Sequence, residues 1–367
     1  MSTYPEFLVR IDCITYNHAP YIEDAMNGFC MQQTTFPFVA TIIDDASTDG
    51  EPEVIRRYLD VHFDLSEKGL SRQWETDDAY FIYAQHRENK NCYFAIVLLK
   101  YNFWQAKKSK EPLIKEWTNT KYVAFCEGDD YWIVPHKLQK QVDVLNAHPE
   151  CSFCGTGFIE KKIEKLDRDY TIVSPNSEMA FYDIRSFGRK WIGKTLTLLV
   201  RNTYYIIYLK ESRKYKAPKD TYLLYHLLKQ GNCVYIPKPM GVYNNNGQGI
   251  WNSKTLAEKI VWDTNTMREL YLKNNRDKDI YDLYINYLNM YVMNEMIKGR
   301  KFRTWFEGIT ESMSFNDRKL ITVSFLSVVK KNVLHFLYRC ILPFLRIRKS
   351  WFLYLKKTIY KNSEFKP

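Results

Sequence analysis

Residues 121 to 132 read K-Y-V-A-F-C-E-G-D-D-Y-W, and this stretch constrains the fold most strongly. Tyr122 to Cys126 is a short apolar run of β-forming residues, with the length of a buried strand. Glu127, Asp129 and Asp130 follow at once, with Gly128 between them. Three carboxylates within four residues repel one another unless water, a cation or a metal compensates them. In open α/β sheets ligands bind beyond the carboxyl ends of the strands, and this cluster stands at such an end. Hard oxygen donors favour Mg²⁺ or Mn²⁺, which bridge in turn to phosphates. A solvated acidic turn under an aromatic lid is the competing reading.

The surrounding pattern fits a parallel sheet. A β-rich run from Phe7 to Ile14 ends in T-Y-N-H-A-P-Y, and helical spacing begins near Tyr21. Phe36 to Ile43 reads as a second strand. It runs into D-D-A-S-T-D-G at 44 to 50, and a helix follows from about Pro52 to Val61. Strand, helix, strand, acidic loop and helix in that order predict parallel pairing. Residues 62 to 79 read as an irregular insertion and Tyr80 to Ala84 as a short strand. Phe94 to Lys107 and Pro135 to Ala147 read as helices, and Cys151 to Phe158 as a strand. Residues 160 to 176 suggest a hairpin or loop. Lys194 to Val200 reads as a strand, and the run after Asp220 is helical up to Gly231. Val234 to Ile236 is a short strand, followed by a Gly- and Asn-rich loop, and Lys254 to Lys298 is helical. The predicted class is α/β, with residues 1–255 forming one domain and 256–367 a helical C-terminal region.

Charge is distributed unevenly. The net charge is +11, and residues 300 to 367 hold fifteen basic and four acidic side chains. The remainder is neutral, which argues against a nucleic-acid footprint over the fold. Residues 325 to 360 mix apolar clusters with Lys and Arg, as basic amphipathic helices at anionic membranes do. A lid packed on the domain and a dimerisation element are alternatives for this tail. Eight scattered cysteines, several in apolar runs, suit buried free thiols. The single C-x-x-C at Cys151 and Cys154 has no second pair to complete a zinc site. No leader pattern opens the chain and no apolar run approaches about 18 residues. The expectation is a cytoplasmic protein, peripherally associated with the inner face of the membrane.

With these pieces in order, the chain resembles the family 2 glycosyltransferases of the GT-A fold, inverting enzymes of the bacterial surface-polysaccharide type. The resemblance rests on T-Y-N at 15 to 17, I-I-D-D-A-S-T-D-G at 42 to 50, and E-G-D-D-Y-W at 127 to 132. It rests also on G-K-T-L-T-L-L-V-R-N at 193 to 202, on Asp220 opening a helix, and on M-G-V-Y and G-I-W downstream. It covers roughly residues 7 to 255.

The resemblance implies roles for particular residues. Thr15, Tyr16 and Asn17 would line the nucleotide pocket. Asp44 or Asp45 would accept a hydrogen bond from the base, and Asn89 would make a polar phosphate-side contact. Asp130, with Asp129, would hold Mn²⁺ or Mg²⁺. Glu127 and Asp129 would contact ribose or metal-bound water. Asp220 would be the general base, and Trp251 would close over the donor. Glu127 stands where aspartate is more usual, Lys219 where a second acid often precedes the base, and Asn244 where an arginine often follows the tyrosine. The implied partners are a nucleotide-sugar donor, UDP-linked in this resemblance, and a carbohydrate or polyprenol-linked acceptor. A homodimer and an anionic membrane surface are further partner expectations; nucleic acid is not one. A sugar nucleotidyltransferase would want a Gly-rich basic phosphate loop, which T-Y-N-H-A-P-Y is not. A non-catalytic membrane partner would tolerate loss of the acidic cluster, which is intact.

Overall fold

The computed structural model describes residues 4–66, 70–162, 170–173, 177–188, 193–217, 219–245 and 254–297. Trp251 and the basic tail at 325–360 lie outside the described residues. The chain divides into two compact units after Lys254.

The first unit begins with β1 (Val9–Thr15), α1 (Ile22–Cys30), β2 (Phe38–Asp44) and α2 (Glu51–His62). Next come β3 (Phe63–Asp64), β4 (Arg72–Glu75), β5 (Ala79–His86) and β6 (Cys92–Leu99). After β7 (Tyr122–Phe125) follow β8 (Tyr131–Trp132), α3 (Lys137–Ala147), β9 (Cys151–Lys162), β10 (Tyr170–Val173) and β11 (Ala180–Tyr182). The unit closes with β12 (Leu199–Arg201), α4 (Asn202–Ser212), α5 (Asp220–Gln230) and β13 (Asn232–Asn245).

These strands form one sheet whose central order is β7-β1-β2-β6, all parallel. Every residue of β2, β6 and β7 is buried, because helices or loops cover both faces of a parallel core. Antiparallel strands extend the sheet on both sides: β5 beyond β6, and β12 beyond β7. The register places Thr15 beside Asp44 and Asp12 beside Phe125. The carboxyl ends of β1, β2 and β7 therefore lie together, and the acidic turn begins there.

Helix α1 buries Ile22, Ala25, Met26 and Phe29 at three- and four-residue spacing. Gly28 lets it approach the strand that follows the acidic turn. A Cβ at this position would stand 2.8 Å from the Trp132 backbone nitrogen.

Several expected elements take another form. Residues 94 to 99 belong to strand β6 and the segment after Leu99 is a loop, so there is no helix from Phe94 to Lys107. An apolar run buried on both faces lacks the alternation that would separate strand from helix. The insertion at 62 to 79 contributes β3 and β4, which pair with β5. In the expected strand 194–200, Thr195–Thr197 is a 3₁₀ turn and pairing begins only at Leu199. Strand β13 runs through to Asn245 past register shifts near Pro239, where a loop was expected. Its long partner β9 makes this extension favourable, since each ladder bond satisfies backbone groups that would otherwise need water.

In the second unit, α6 (Leu256–Lys273) opens with a capping box between Thr255 and Glu258. It packs on α7 (Lys278–Ile297): the Tyr271 and Tyr284 rings lie 5.6 Å apart, and the Thr264 hydroxyl donates to the Tyr287 carbonyl at 3.1 Å. Among the described residues no helix is long and apolar enough to cross a membrane.

Candidate functional site

The turn after β7 is held from three directions. Gly128 N–H donates to the Ile14 carbonyl at 3.2 Å, laying the turn against the end of β1. On the opposite side β13 pairs with β8, Gly241 facing Trp132 and Val242 facing Tyr131. Asn244 then binds the turn directly: its backbone N–H donates to Asp130 Oδ1 at 2.9 Å and its side-chain amide to the Asp129 carbonyl at 2.6 Å. The third restraint is Thr195, whose hydroxyl donates to both Glu127 oxygens at 2.9 and 3.2 Å.

The cluster concentrates acidic side chains. Asp130 is 3% exposed, and burial together with Asp129 and Glu127 holds its carboxyl well above the usual range. Glu127 is pushed up to about 7, first by burial and then by the charge of Asp220. Asp220, the first residue of α5, thus lies within electrostatic reach of the turn, ninety-odd residues away in sequence. Its side chain meets solvent, yet the surrounding protein desolvates it enough to raise its pKa, against the pull of Lys194.

The end of β1 forms a second wall. Asn17 has a left-handed backbone (φ 55°), which Asn tolerates better than most residues. Its N–H donates to Ser47 Oγ and its side-chain oxygen accepts from Thr48 N–H, both at 2.8 Å. Beneath this loop lies the fully buried Glu51, which accepts from the Thr15 hydroxyl, from Ser47 Oγ at 2.8 Å and from His18 N–H at 2.9 Å. The His18 ring faces Asp129, with Nε2 3.8 Å from the carboxylate. Tyr16 is 40% exposed at the rim.

The acidic pair after β2 separates into two environments. Asp45 accepts from Phe103 N–H at 2.7 Å, Trp104 N–H at 3.3 Å and Lys110 Nζ at 2.9 Å, so it anchors the loop after β6. Asp44 accepts longer bonds from Ser47 N–H, at 3.3 Å to each oxygen. Burial, with Glu51 and Asp49 adding to it, pushes Asp44 up to about 6. Asp44 therefore retains the greater unused acceptor capacity.

Asn89 stands apart from these residues. Its amide donates to the Cys30 and Gln32 carbonyls at 2.9 and 2.7 Å, closing the C-terminal end of α1. Neighbouring Asn91 accepts from Phe38 N–H at the start of β2. This is the amino-terminal edge of the parallel strands, opposite the acidic turn, and Asn89 caps α1 there.

Four contributors were not singled out from the sequence: His18, Glu51, Lys194 and Thr195. Glu51 stands just before the helix expected from about Pro52, and no motif marks it. Lys194 and Thr195 lie in a quoted segment, but nothing local points them at a turn some seventy residues earlier.

The donor set suits a divalent cation that completes its shell from a ligand. Asp129 and Asp130 offer adjacent hard oxygens, and the raised pKa of Asp130 marks charge that a cation would relieve. Among the described residues, no group of three or more His, Cys, Asp or Glu side chains converges to hold an ion by itself.

Comparison with known proteins supplies relatives and a fold. No family model matches the chain. An uncharacterized protein of Mycobacterium tuberculosis, Rv1520, is 28% identical over 258 residues, 70% of this chain. Its Mycobacterium bovis counterpart Mb1547 matches equally. The chain spans 64% of the length of these relatives. TuaG of Bacillus subtilis, provisionally named a teichuronic acid biosynthesis glycosyltransferase, is 24% identical over 256 residues, 70% of this chain and 86% of TuaG. Among solved structures, S. aureus TarS 1-349 in complex with UDP superposes with a TM-score of 0.51 at 15% identity, covering 82% of this chain and 78% of TarS. The first unit, a parallel α/β core with its acidic turn at the carboxyl ends of the strands, has the GT-A glycosyltransferase fold.

Proposed function

We propose that this chain is an inverting family 2 glycosyltransferase. It moves a sugar from a nucleotide-diphosphate donor, a UDP-sugar, to a hydroxyl of a carbohydrate or polyprenol-linked acceptor in cell-surface polysaccharide synthesis. The observation that carries this reading is the Glu127–Asp129–Asp130 turn at the carboxyl ends of the parallel strands, fixed there by Thr195 and Asn244. The name of TuaG supports the polysaccharide setting, and the UDP bound to TarS supports a uridine donor.

Thr15, Tyr16 and Asn17 form the nucleotide wall, organised by Glu51. Asp44 accepts from the base N–H with the acceptor capacity that Ser47 leaves unused. Asp129 and Asp130 would hold Mn²⁺ or Mg²⁺, which when bound neutralises charge on the departing diphosphate. Asp220 takes the proton from the acceptor hydroxyl, and its raised pKa brings it nearer the range in which a general base is effective. Developing positive charge at the anomeric carbon is stabilised by the surrounding carboxylates. Residues 256–367 form the C-terminal region, whose basic segment at 325–360 attaches the enzyme to the anionic inner face of the membrane.

Calorimetric titration with UDP, GDP and TDP, with and without Mn²⁺, tests the donor site in the wild type and Asp130→Ala. The expected result is UDP binding that depends on both the metal and Asp130. Absence of nucleotide binding under every condition would overturn the reading.

A further inference from the structure

The ammonium of Lys194 lies 3.8 Å from the centre of the Tyr243 ring. It makes no hydrogen bond or ion pair among the described residues, although the acidic turn and Asp220 are close enough to feel its charge. A partly buried lysine in an acidic site would ordinarily satisfy itself by pairing with one carboxylate. Two of the carboxylates have other fixed partners: Glu127 accepts from Thr195 and Asp130 accepts from Asn244.

The backbone that presents this lysine is closely determined. Gly193 has φ +134°, and a side chain there would overlap the Thr197 hydroxyl. The Lys194 carbonyl accepts from both Thr197 N–H at 2.9 Å and Thr197 Oγ1 at 2.7 Å. Trp132 Nε1 donates to the Leu196 carbonyl and Gln141 to the Thr197 carbonyl, each at 2.9 Å. The turn is thereby tied to the residues around the acidic cluster. Tyr243, which carries the ammonium on its face, precedes Asn244, which binds Asp129 and Asp130. A cation held by an aromatic face keeps its N–H groups available for an incoming acceptor.

We propose that Lys194 is the protein's own cationic contact to a diphosphate, held on the Tyr243 ring next to Asn244, which binds Asp129 and Asp130. This rests on the donor reading above for the identity of the ligand, the diphosphate of a UDP-sugar. A diphosphate approaching four carboxylates meets strong repulsion. A divalent ion would relieve part of it, and Lys194 supplies a charge-assisted hydrogen bond to a phosphate oxygen. As the sugar departs, negative charge accumulates on that oxygen, and the contact strengthens. A lipid-linked acceptor could also carry a diphosphate. The position beside the acidic pair favours the donor's.

The test is calorimetry with UDP, inorganic pyrophosphate and geranyl diphosphate, each with Mg²⁺. The proteins are the wild-type full-length chain, Lys194→Met, Lys194→Gln and Lys194→Arg, with thermal unfolding recorded for each. We expect UDP and pyrophosphate to bind roughly tenfold or more weakly to the Met and Gln variants, with Arg retaining most of the affinity. Melting temperatures should stay near wild type, since a lysine that only packs on Tyr243 would change melting and not affinity. If UDP binds wild type and both neutral variants equally, the Lys194 assignment fails while the donor reading stands. If pyrophosphate binding depends on Lys194 but UDP does not bind at all, the anion contact stands and the donor reading fails. Lys194-dependent binding of geranyl diphosphate alone would overturn the donor-side assignment. Should no ligand bind wild type, both proposals fall.

Discussion

The Thr15 hydroxyl donates a hydrogen bond to the buried carboxylate of Glu51, thirty-six residues further along the chain. The same carboxylate accepts from Ser47 and from His18 N–H. One acidic side chain thus fixes the ends of β1 and β2 against the first turn of α2. Glu51→Leu removes both acceptor oxygens and leaves His18 N–H and the two hydroxyls without this partner. We expect a loss of about 1–3 kcal/mol in urea unfolding, with weaker UDP binding. Unchanged stability would show that the three bonds are not jointly required.

Gly128 lies against Thr15 so closely that a Cβ there would overlap the threonine side chain. Gly128→Ala must push the acidic turn away from β1. The cost in urea unfolding should be about 1–3 kcal/mol, and UDP affinity should fall with it. A well-folded Gly128→Ala variant with wild-type affinity would mean the turn can shift without penalty.

Lys137 is fully buried, with Nζ donating to Gln141 Oε1 at 2.8 Å and lying 4.0 Å from the Trp132 ring centre. Burial pushes its pKa down from 10.5 to about 7. Between those two values the unfolded chain binds a proton that the folded protein has released. Stability from this group therefore rises with pH across the window and is lowest below pH 7. Lys137→Met should stabilise the protein by about 1–3 kcal/mol near neutrality and flatten that rise. Thermal unfolding at about pH 7 and about pH 9.5 checks both parts. A Met variant that keeps the wild-type pH slope would remove Lys137 as its source.

Asp220→Asn retains the shape of the helix start and abolishes the proton acceptor. Turnover of UDP-sugars, with water in the acceptor's place, should drop by about 10²–10⁴-fold, while UDP affinity stays within a few-fold. A rate close to wild type would assign the base elsewhere.

Much of the architecture and part of the site were legible in the chain itself. The acidic turn follows directly on a β-rich run, so adjacency alone tied the carboxylates to a strand end. The alternation of β1, α1, β2 and α2 predicted parallel pairing, and the pairing is parallel. The same local logic misread residues 94 to 99, because a run buried on both faces has no period to distinguish it. It also grouped Asn89 with the donor residues, whereas the connection before β6 lies at the other end of the sheet.

Local sequence thus determined which residues could carry charge, turn the chain or fill the core, since these properties reside in each side chain and its neighbours. Tertiary structure alone decided which of them meet. Glu51 reaches Thr15 across 36 positions, Thr195 reaches Glu127 across 68, and Asn244 reaches Asp130 across 114. It also distinguished Asp45, bound to the loop after β6, from Asp44, and left Lys194 on an aromatic face while Glu127 and Asp130 are engaged by Thr195 and Asn244. Those outcomes depend on register and packing between distant segments, and no short window of sequence contains both partners.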